Sequence, residues 1–248
     1  MRGVSNFLKK LLAIDLALSI GAGAAAFAAD MTPPAPVPPP IYKAPSAIYD
    51  WSGIYIGINA GYGTGFSNWS DGPVGTTGAF PISGFLVGAT LGANYQIGNY
   101  VFGIEADGGW SNITGNSGMT CGAIAAVVPP PVSCQTQSDW LATLRGRVGY
   151  AFDRFLIYGT AGGAFGDLQA GLNPPATFDR AIEAGIAAGA GIEFAITPNW
   201  TAKIEYLFVD LPNGACTTAG NCGGAAGSTV NFSENVVRAG VNFKFGPW

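Results

Sequence analysis

The stretch "WLATLRGRVGY", residues 140–150, decides the fold because its side chains alternate between apolar and polar with a period of two. Trp140, Leu144 and Val148 share one face, while Arg145 and Arg147 share the other. Such alternation is typical of a β-strand with one apolar face. No acidic residue stands beside the two arginines in the sequence, so their partners must come from elsewhere in the chain.

The same alternation recurs along the chain from Trp51 onward, and it predicts eight strands. The predicted strands are Gly53–Gly63, Gly84–Ile97, Tyr100–Ser111, Trp140–Tyr150, Phe155–Phe165, 182–194, 202–208 and Val237–Phe245. The fifth has small residues on both faces, and we orient it with Phe155, Ile157, Ala161 and Phe165 outward. Short and long connections alternate, as in an up-and-down barrel. The long connections are predicted at Thr64–Ser83, Asn112–Asp139, Gly166–Asp179 and Leu211–Ser233.

Charged side chains follow the same parity. In each of the five strands that carry two charges, both charges fall on one face. The set contains five acids and five bases: Glu105, Asp107, Glu183, Glu193 and Glu205, with Arg145, Arg147, Lys203, Arg238 and Lys244.

The composition favours a barrel that crosses a membrane, because the chain is 48% hydrophobic and only 10% charged. An arginine on the lipid face of such a barrel costs about 2–4 kcal/mol at mid-bilayer, so the charged set is predicted to line the lumen. Glu105 and Asp107 are expected to pair with Arg145 and Arg147 across neighbouring strands. Eight strands leave an interior that side chains can fill. A packed charged network is therefore favoured over the alternative, an ion or proton pathway.

The N-terminus is typical of a targeting segment. Arg2, Lys9 and Lys10 precede an apolar stretch that ends in Ala26-Phe27-Ala28, a cleavage signal. The sequence predicts a signal peptide over residues 1–28, a Pro-rich periplasmic lead over 29–50 and a barrel over 51–248. The alternative is a retained anchor helix, because residues 11–29 are just long enough to span a membrane.

Cleavage after Ala28 would leave an acidic chain with a net charge of −6. This charge argues against nucleic acid as a partner, because nucleic acid rewards basic patches. Four cysteines in an exported chain predict disulfides. Of the three possible pairings, Cys121 with Cys134 and Cys216 with Cys222 each close a local loop. Neither spacing is typical of a metal site, and no metal or cofactor is expected.

Catalysis is not expected either. The chain contains no histidine, so nucleophiles that depend on a histidine base are excluded. The glycine-rich "GYGTG" and "GTAGGAFG" lack the strand–loop–helix context and the lysine of a phosphate loop. The carboxylate pairs Glu105 with Asp107 and Glu193 with Glu205 remain the candidates for an enzyme, but each lies where a structural counter-ion is expected.

Four stretches carry a family resemblance: "WSGIYIGINAGYG", "YVFGIEAD", "WLATLRGRVGYAFDRFLIYGTAGGAFG" and "NWTAKIEYLFVDL". In this order they resemble the small outer-membrane barrel proteins of alpha-proteobacteria, called outer-membrane immunogenic or porin-family proteins and related to the OmpA-like barrel. The resemblance implies an abundant, surface-exposed barrel of the bacterial outer membrane that supports envelope integrity. It also implies recognition by hosts or phage, supports pore activity only weakly, and carries no catalytic residues over.

The sequence therefore predicts an all-β, eight-stranded antiparallel up-and-down transmembrane β-barrel with a cleaved signal peptide, not an enzyme, that displays surface loops. The alternative function is a narrow porin-like channel for small solutes. Expected partners are outer-membrane lipid and lipopolysaccharide, host or phage ligands at the loops, and the barrel-assembly machinery. Such barrels end on an aromatic residue that this machinery reads, and either Phe245 or Trp248 fits that role here.

Overall fold

The computed structural model describes residues 49–70, 78–118, 133–173, 177–215 and 229–246. These residues form eight strands, each antiparallel to the next, and the last strand pairs with the first to close a barrel. The strands are β1 Gly53–Ser70, β2 Gly78–Ile97, β3 Tyr100–Asn116, β4 Ser133–Phe152, β5 Phe155–Asn173, β6 Thr177–Ala195, β7 Trp200–Ala215 and β8 Thr229–Phe245. The predicted eight-stranded antiparallel barrel is confirmed. No helix among the described residues is long and apolar enough to cross a membrane.

Tight turns join β2 to β3, β4 to β5 and β6 to β7, as the sequence predicts. The first turn contains Gly98 with φ +60°, and the second contains Asp153 with φ 54°. Aspartate is one of the few residues besides glycine that enters this left-handed region readily. All three turns lie at one end of the barrel, the turn end. We call the opposite end, toward which β1 and β8 extend at Ser70 and Thr229, the loop end.

The predicted long connections are wrong in extent, because the strands continue far beyond the predicted bounds at the loop end. β1 runs to Ser70 and β2 begins at Gly78, where the sequence predicted a connection over Thr64–Ser83. β4 and β5 likewise pair as far as Ser133 with Asn173. At about 3.3 Å per residue, the seven residues that β1 gains extend the wall by roughly 23 Å along the strand.

The sequence underestimates the length of the strands because the face that carries the apolar residues changes along each strand. In the turn-end part of β7, Lys203 and Glu205 point inward, and Ile204 is exposed on the outside. Farther along the same inward face come Leu207, Val209 and Leu211, all with no exposed surface. β8 changes in the same way, from inward Arg238 to inward Val236, Phe232 and Val230. The alternation keeps its parity, but the apolar residues move from the outer to the inner face.

The interior consequently has three layers. At the turn end lies an apolar cluster, the turn-end cluster, formed by Tyr49, Trp51, Val101, Ala151, Leu156, Tyr158 and Ala195. The middle is the charged layer described below. At the loop end lies a larger apolar cluster, the loop-end cluster, which comprises Trp69, Phe80, Ile82, Ile113, Cys134, Leu141, Ala164, Leu168, Ala170, Leu172, Ala187, Leu207, Val209, Leu211, Val230, Phe232 and Val236.

Around the charged layer, the outer face of the barrel is an apolar band. Ile58, Ile104 and Ile204 expose more than half of their surface there. β5 has the orientation that the sequence favours, because Phe155, Ile157 and Phe165 are exposed. Aromatic pairs mark the two edges of the band: Tyr100–Tyr150, Phe155–Phe194 and Trp200–Phe243 toward the turn end, and Tyr62–Phe85 toward the loop end.

Candidate functional site

Arg145 lies at the centre of the charged layer. The register of β3 and β4 sets it opposite Glu105, and its Nη2 lies 2.7 Å from Glu105 Oε1 and 2.6 Å from Asp107 Oδ2. Its Nη1 reaches across the lumen to Glu205 Oε1 at 3.0 Å. Its Nε donates to the Thr143 hydroxyl at 2.8 Å. The arginine that lacked a partner in its own stretch of sequence therefore contacts three carboxylates from two other strands.

Arg147 occupies the next inward position and faces a different set of groups. It donates to Glu193 through Nη2, and its Nη1 lies 3.5 Å from Glu105 Oε2. The guanidinium stacks on the ring of Tyr158, with 3.8 Å from Cζ to the ring centroid, and donates to Tyr55 Oη at 3.0 Å. Cation–π contact with a desolvated ring adds to the ion pairs. Arg147 thus joins the charged layer to the aromatic residues near the turn end.

Arg238 and Lys203 complete the layer from the opposite wall. Arg238 contacts Asp107 Oδ1 at 2.6 Å and Glu205 Oε2 at 2.5 Å, and Lys203 Nζ lies 2.8 Å from Glu105 Oε2. The layer then consists of four acids and four bases, every one less than a tenth exposed. Removing one member leaves the others uncompensated in a buried site, which typically costs about 3–5 kcal/mol.

The structure places eight of the ten predicted lumen residues in this layer, and the other two elsewhere. Lys244 lies at the turn end, where it donates to the backbone carbonyl of Asp50 and lies 4.3 Å from the centroid of the Tyr49 ring. Glu183 is on the inward side of β6 but only partly buried. It is ten residues from Glu193, about 33 Å along the strand, so it cannot join the same layer.

Uncharged polar residues outside the predicted charged set support the layer. Thr143 donates to Asp107 Oδ2 at 2.8 Å, and Thr201 donates to Glu193 Oε1 at 2.5 Å. Asn242 also donates to Glu193 Oε1, at 2.8 Å. All three share the inward parity of the charges on their strands, which is the signal that could have identified them.

A short segment before β1 lies across the turn end of the barrel, and we call these residues, Tyr49–Trp51, the strap. The Tyr49 amide donates to Asp153 Oδ1 at 2.9 Å, and the Trp51 indole donates to the Asp153 carbonyl at 3.0 Å. The Trp51 amide donates to Gln96 Oε1 at 2.7 Å. Trp51 is 2% exposed, and the strap contributes two large aromatic side chains, Tyr49 and Trp51, to the turn-end cluster.

Glu234 is an acid buried on the inner face of the wall at the loop end, and sequence reasoning missed it. It is 1% exposed, it faces the interior between Phe232 and Val236, and its Oε2 has no hydrogen-bond partner among the described residues. An ideal Cβ on Gly63 would lie 3.3 Å from that oxygen. Glu234 lies between the predicted loop, which ends at Ser233, and the predicted last strand, which begins at Val237, so the sequence gives it no inward direction.

Several sequence predictions fall outside the described residues. Cys121, Cys216 and Cys222 lie there, as do the predicted signal peptide, the Pro-rich residues and Trp248. Cys134 is described and fully buried at the start of β4. The two disulfides stay predictions. Phe245 is described, at the end of β8, and is about half exposed on the outer face.

The carboxylates of the layer are occupied by bases. Glu105 with Asp107, one of the two candidate catalytic pairs, contacts Arg145, Lys203 and Arg238. Of the other pair, Glu193 bonds Arg147, and Glu205 bonds Arg145 and Arg238. Among the described residues, no group of three or more His, Cys, Asp or Glu side chains gathers in a geometry that could hold a metal ion.

A closed barrel with an apolar outer band and a charged interior defines the class of outer-membrane β-barrel proteins. Comparison with known proteins agrees: residues 16–245 match the family described as outer membrane protein beta-barrel domain. The chain belongs to this family, and it is a protein of the bacterial outer membrane.

Named relatives are similar over most of the chain. A 31 kDa outer-membrane immunogenic protein of Brucella melitensis is 34% identical, with 89% of this chain and 93% of that protein covered. A 25 kDa outer-membrane immunogenic protein of Brucella abortus is 31% identical, covering 96% and 99%. A solved structure, the outer membrane protein OprG from Pseudomonas aeruginosa, aligns with a TM-score of 0.44 at 14% identity, covering 78% of this chain and 96% of that one.

Proposed function

We propose that the barrel spans the outer membrane, with its apolar band in lipid, the strap in the periplasm and the loop-end hairpins outside the cell. The change of hydrophobic side along β7 and β8 supports this placement. A wall surrounded by lipid must be apolar outside, whereas a wall surrounded by water is stabilised by an apolar inside. Along the inward face of β7, the charged Glu205 is followed by the apolar Leu207. This level therefore marks the surface of the outer membrane that faces the outside of the cell.

We further propose that the protein is not an enzyme and not an open channel, but a sealed barrel that contributes to envelope integrity. The observation that carries this proposal is the layered interior, in which four buried ion-paired bases and four acids are enclosed between two apolar clusters. An ion entering from either end would have to pass an apolar cluster before it reached the charged layer. The alternative, a narrow pore for small solutes, requires both clusters to open.

Planar-bilayer recording of the purified full-length protein tests the seal. We expect no stable conductance steps from the wild type. A variant in which Trp51 and Phe232 are both replaced by alanine thins both apolar clusters and should leak, which shows that the recording can detect an opened lumen. Stable steps from the wild type, at a concentration where unboiled samples migrate as folded barrel, would contradict the proposal.

The loop-end hairpins are proposed to be the surface that meets partners, namely lipopolysaccharide around the wall and host or phage ligands at the tips. The immunogenic names of the two Brucella relatives support a surface position. The predicted disulfides would stiffen the two hairpin tips that contain cysteines. Mild reduction should weaken binding of a conformation-specific antibody while the barrel stays folded, and unchanged binding would argue against a role for the disulfides.

Recognition by the barrel-assembly machinery is proposed to depend on Phe245, which ends β8 with its ring half exposed. Deletion of residues 246–248 should leave membrane insertion unchanged, whereas Phe245→Ala should reduce it. The fraction of heat-modifiable protein in the membrane measures both. If only the deletion reduced insertion, the role would belong to Trp248.

A further inference from the structure

Two carboxylates meet on the outer face of the barrel, close to the loop-end edge of the apolar band. Asp139 lies at the register shift of β4 between Ser138 and Leu141, and Asp167 lies on β5 two residues beyond Phe165. Arg180 of β6 contacts both, with its Nη2 at 2.7 Å from Asp139 Oδ2 and 3.2 Å from Asp167 Oδ2. Three strands therefore place two acids and one base at a single point outside the lumen.

Two glutamine side chains border the same point. Gln169 Nε2 donates to Asp139 Oδ2 at 2.6 Å and to Asp167 Oδ2 at 3.0 Å, and Gln137 Nε2 donates to Gln169 Oε1 at 2.8 Å. The oxygen and nitrogen of an amide are exchanged by rotation of the side-chain amide. Concerted rotation of the two amides would turn the Gln169 oxygen toward the carboxylates.

Asp167 is not satisfied by these contacts. It is 1% exposed, and its Oδ1 is buried without a hydrogen-bond partner among the described residues. The single guanidinium is shared by two carboxylates, so the group carries a net charge of −1. Arg180 and Asp139 are 62% and 43% exposed, and an exposed ion pair of this kind contributes at most about 1 kcal/mol. A buried, partly bonded carboxylate is costly, and Asp167 therefore points to a further cationic partner.

From these observations we infer a divalent cation site, suited to Ca²⁺, formed by Asp139, Asp167 and Gln169. Ca²⁺ takes six to eight oxygen ligands in flexible geometry, including carboxylates, amide carbonyls and water, and both carboxylates together with a rotated Gln169 amide supply such oxygens. Arg180 Nη2 now stands between the two carboxylates, where the cation would bind. Arg180 competes with the cation, and its exposure leaves it free to swing outward when the cation arrives.

The position of the site fits this ligand. It adjoins Trp140 and Phe165, the aromatic residues at the edge of the apolar band, which is the level of the lipid head groups if the barrel spans the membrane as proposed. A Ca²⁺ held there could share its remaining coordination positions with an anionic head group. The site lies outside the lumen, so its existence does not depend on whether the interior is sealed.

Calorimetric titration of the full-length folded protein in detergent with CaCl₂ alone tests the inference at about 0.15 M ionic strength, which screens weak surface binding. The wild type should bind one Ca²⁺ with a Kd of about 10⁻⁴–10⁻³ M, as extracellular sites do. Asp167→Asn should weaken binding at least tenfold, and Arg180→Gln should tighten it severalfold because the competing cation is gone. Asp210→Asn, which changes an outward acid on β7, is the matched control and should bind as the wild type does.

Unboiled electrophoretic mobility confirms that each variant is folded. Should Asp167→Asn fail to fold, Asp139→Asn replaces it with the same expectation, because Asp139 is half exposed. Absence of Ca²⁺ binding by the wild type would overturn the inference. Equal affinity in the wild type and the Asp167 variant would also overturn it, as would unchanged or weaker binding after Arg180→Gln.

Discussion

The charged layer and the loop-end cluster are two solutions to filling the same cylinder. In the charged layer, Arg145 and Arg238 are each bonded to at least two carboxylates, and acids and bases pair across the lumen. In the loop-end cluster, Trp69, Phe232 and Leu211 pack with almost no exposed surface. The outer environment differs correspondingly, with an apolar outer face around the first and a largely polar one around the second.

On the proposed placement in the membrane, the difference teaches that the medium outside the wall determines what fills the inside. Where the outward side chains are apolar and would contact lipid, the inward positions hold the polar residues. Where the outward side chains are polar and satisfied by water, hydrophobic burial has to come from the interior. The same strand meets both demands because side-chain direction alternates without interruption.

The largest expected effect is the loss of Arg145. Arg145→Ala leaves Glu105, Asp107 and Glu205 each short of a partner in a buried site, so it should destabilise the barrel by about 3–5 kcal/mol or prevent folding. Urea unfolding in lipid vesicles, followed by tryptophan fluorescence, measures the change. Asp139→Asn, which removes the exposed acid of the Arg180–Asp139 pair, is the matched control and should cost no more than about 1 kcal/mol. Similar costs for the two variants would refute the distinction between the buried and the exposed pairs.

Next in size is a cavity in the loop-end cluster. Leu207 has no exposed surface, and Leu207→Ala should cost about 3 kcal/mol from lost burial and the space that remains. Leu207→Met keeps the volume and should cost less than about 1.5 kcal/mol. The same unfolding assay compares the two. A cost for the alanine variant no larger than that for the methionine variant would mean that the cluster is loosely packed.

Glutamates in the two regions should respond with opposite sign. Glu234→Leu removes a buried carboxyl from apolar surroundings and should stabilise the protein by about 1–2 kcal/mol. Glu205→Leu should destabilise it, because Arg145 and Arg238 lose their shared partner. Denaturation midpoints of the two variants test the contrast. A loss of stability in the Glu234 variant would show that its carboxyl has a stabilising partner.

The smallest effect is expected at Tyr49, whose hydroxyl is buried without a hydrogen-bond partner among the described residues. Burial, reinforced by Glu193 and Asp50, raises the pKa of Tyr49 to about 12, against about 10 in the unfolded chain. The folded state therefore holds this proton more tightly, and stability falls as the pH rises from about 10 to 12.

Tyr49→Phe should remove that part of the alkaline loss and change stability at pH 7 by less than about 0.5 kcal/mol. Unfolding midpoints measured from pH 8 to 12 give the comparison. An identical alkaline slope in both proteins would count against ionisation of Tyr49 in this range.

The barrel and much of its charged layer could be predicted because a period of two is visible in a single sequence. The parity of Glu105 with Asp107 and of Arg145 with Arg147 was enough to set them on one face, and tight turns fixed which strands are neighbours. Contacts across the lumen, such as Arg238 with Asp107, could not be predicted, since they depend on the curvature of the closed wall.

The loop-end extension was missed for a physical reason. The sequence prediction assumed that apolar residues stay on the outer face. The stretches that contain the inward Trp69, Ile82 and Phe232 were therefore predicted to be loops. Glu183 was misplaced for a related reason, because parity gives the side of a strand but not the height along it. A search for the point at which the apolar face changes sides would have found the extension.

The strap has a mechanical consequence. Its hydrogen bonds run to Asp153 and Gln96, on two separate parts of the turn end, and Lys244 adds a bond from β8. A pulling force on the chain that precedes Tyr49 would act on all of these hydrogen bonds together. They would have to break before the force could separate β1 from its neighbouring strands. Tension on the preceding chain would thus be spread around the circumference of the cylinder and kept away from the β1–β8 pairing that closes it.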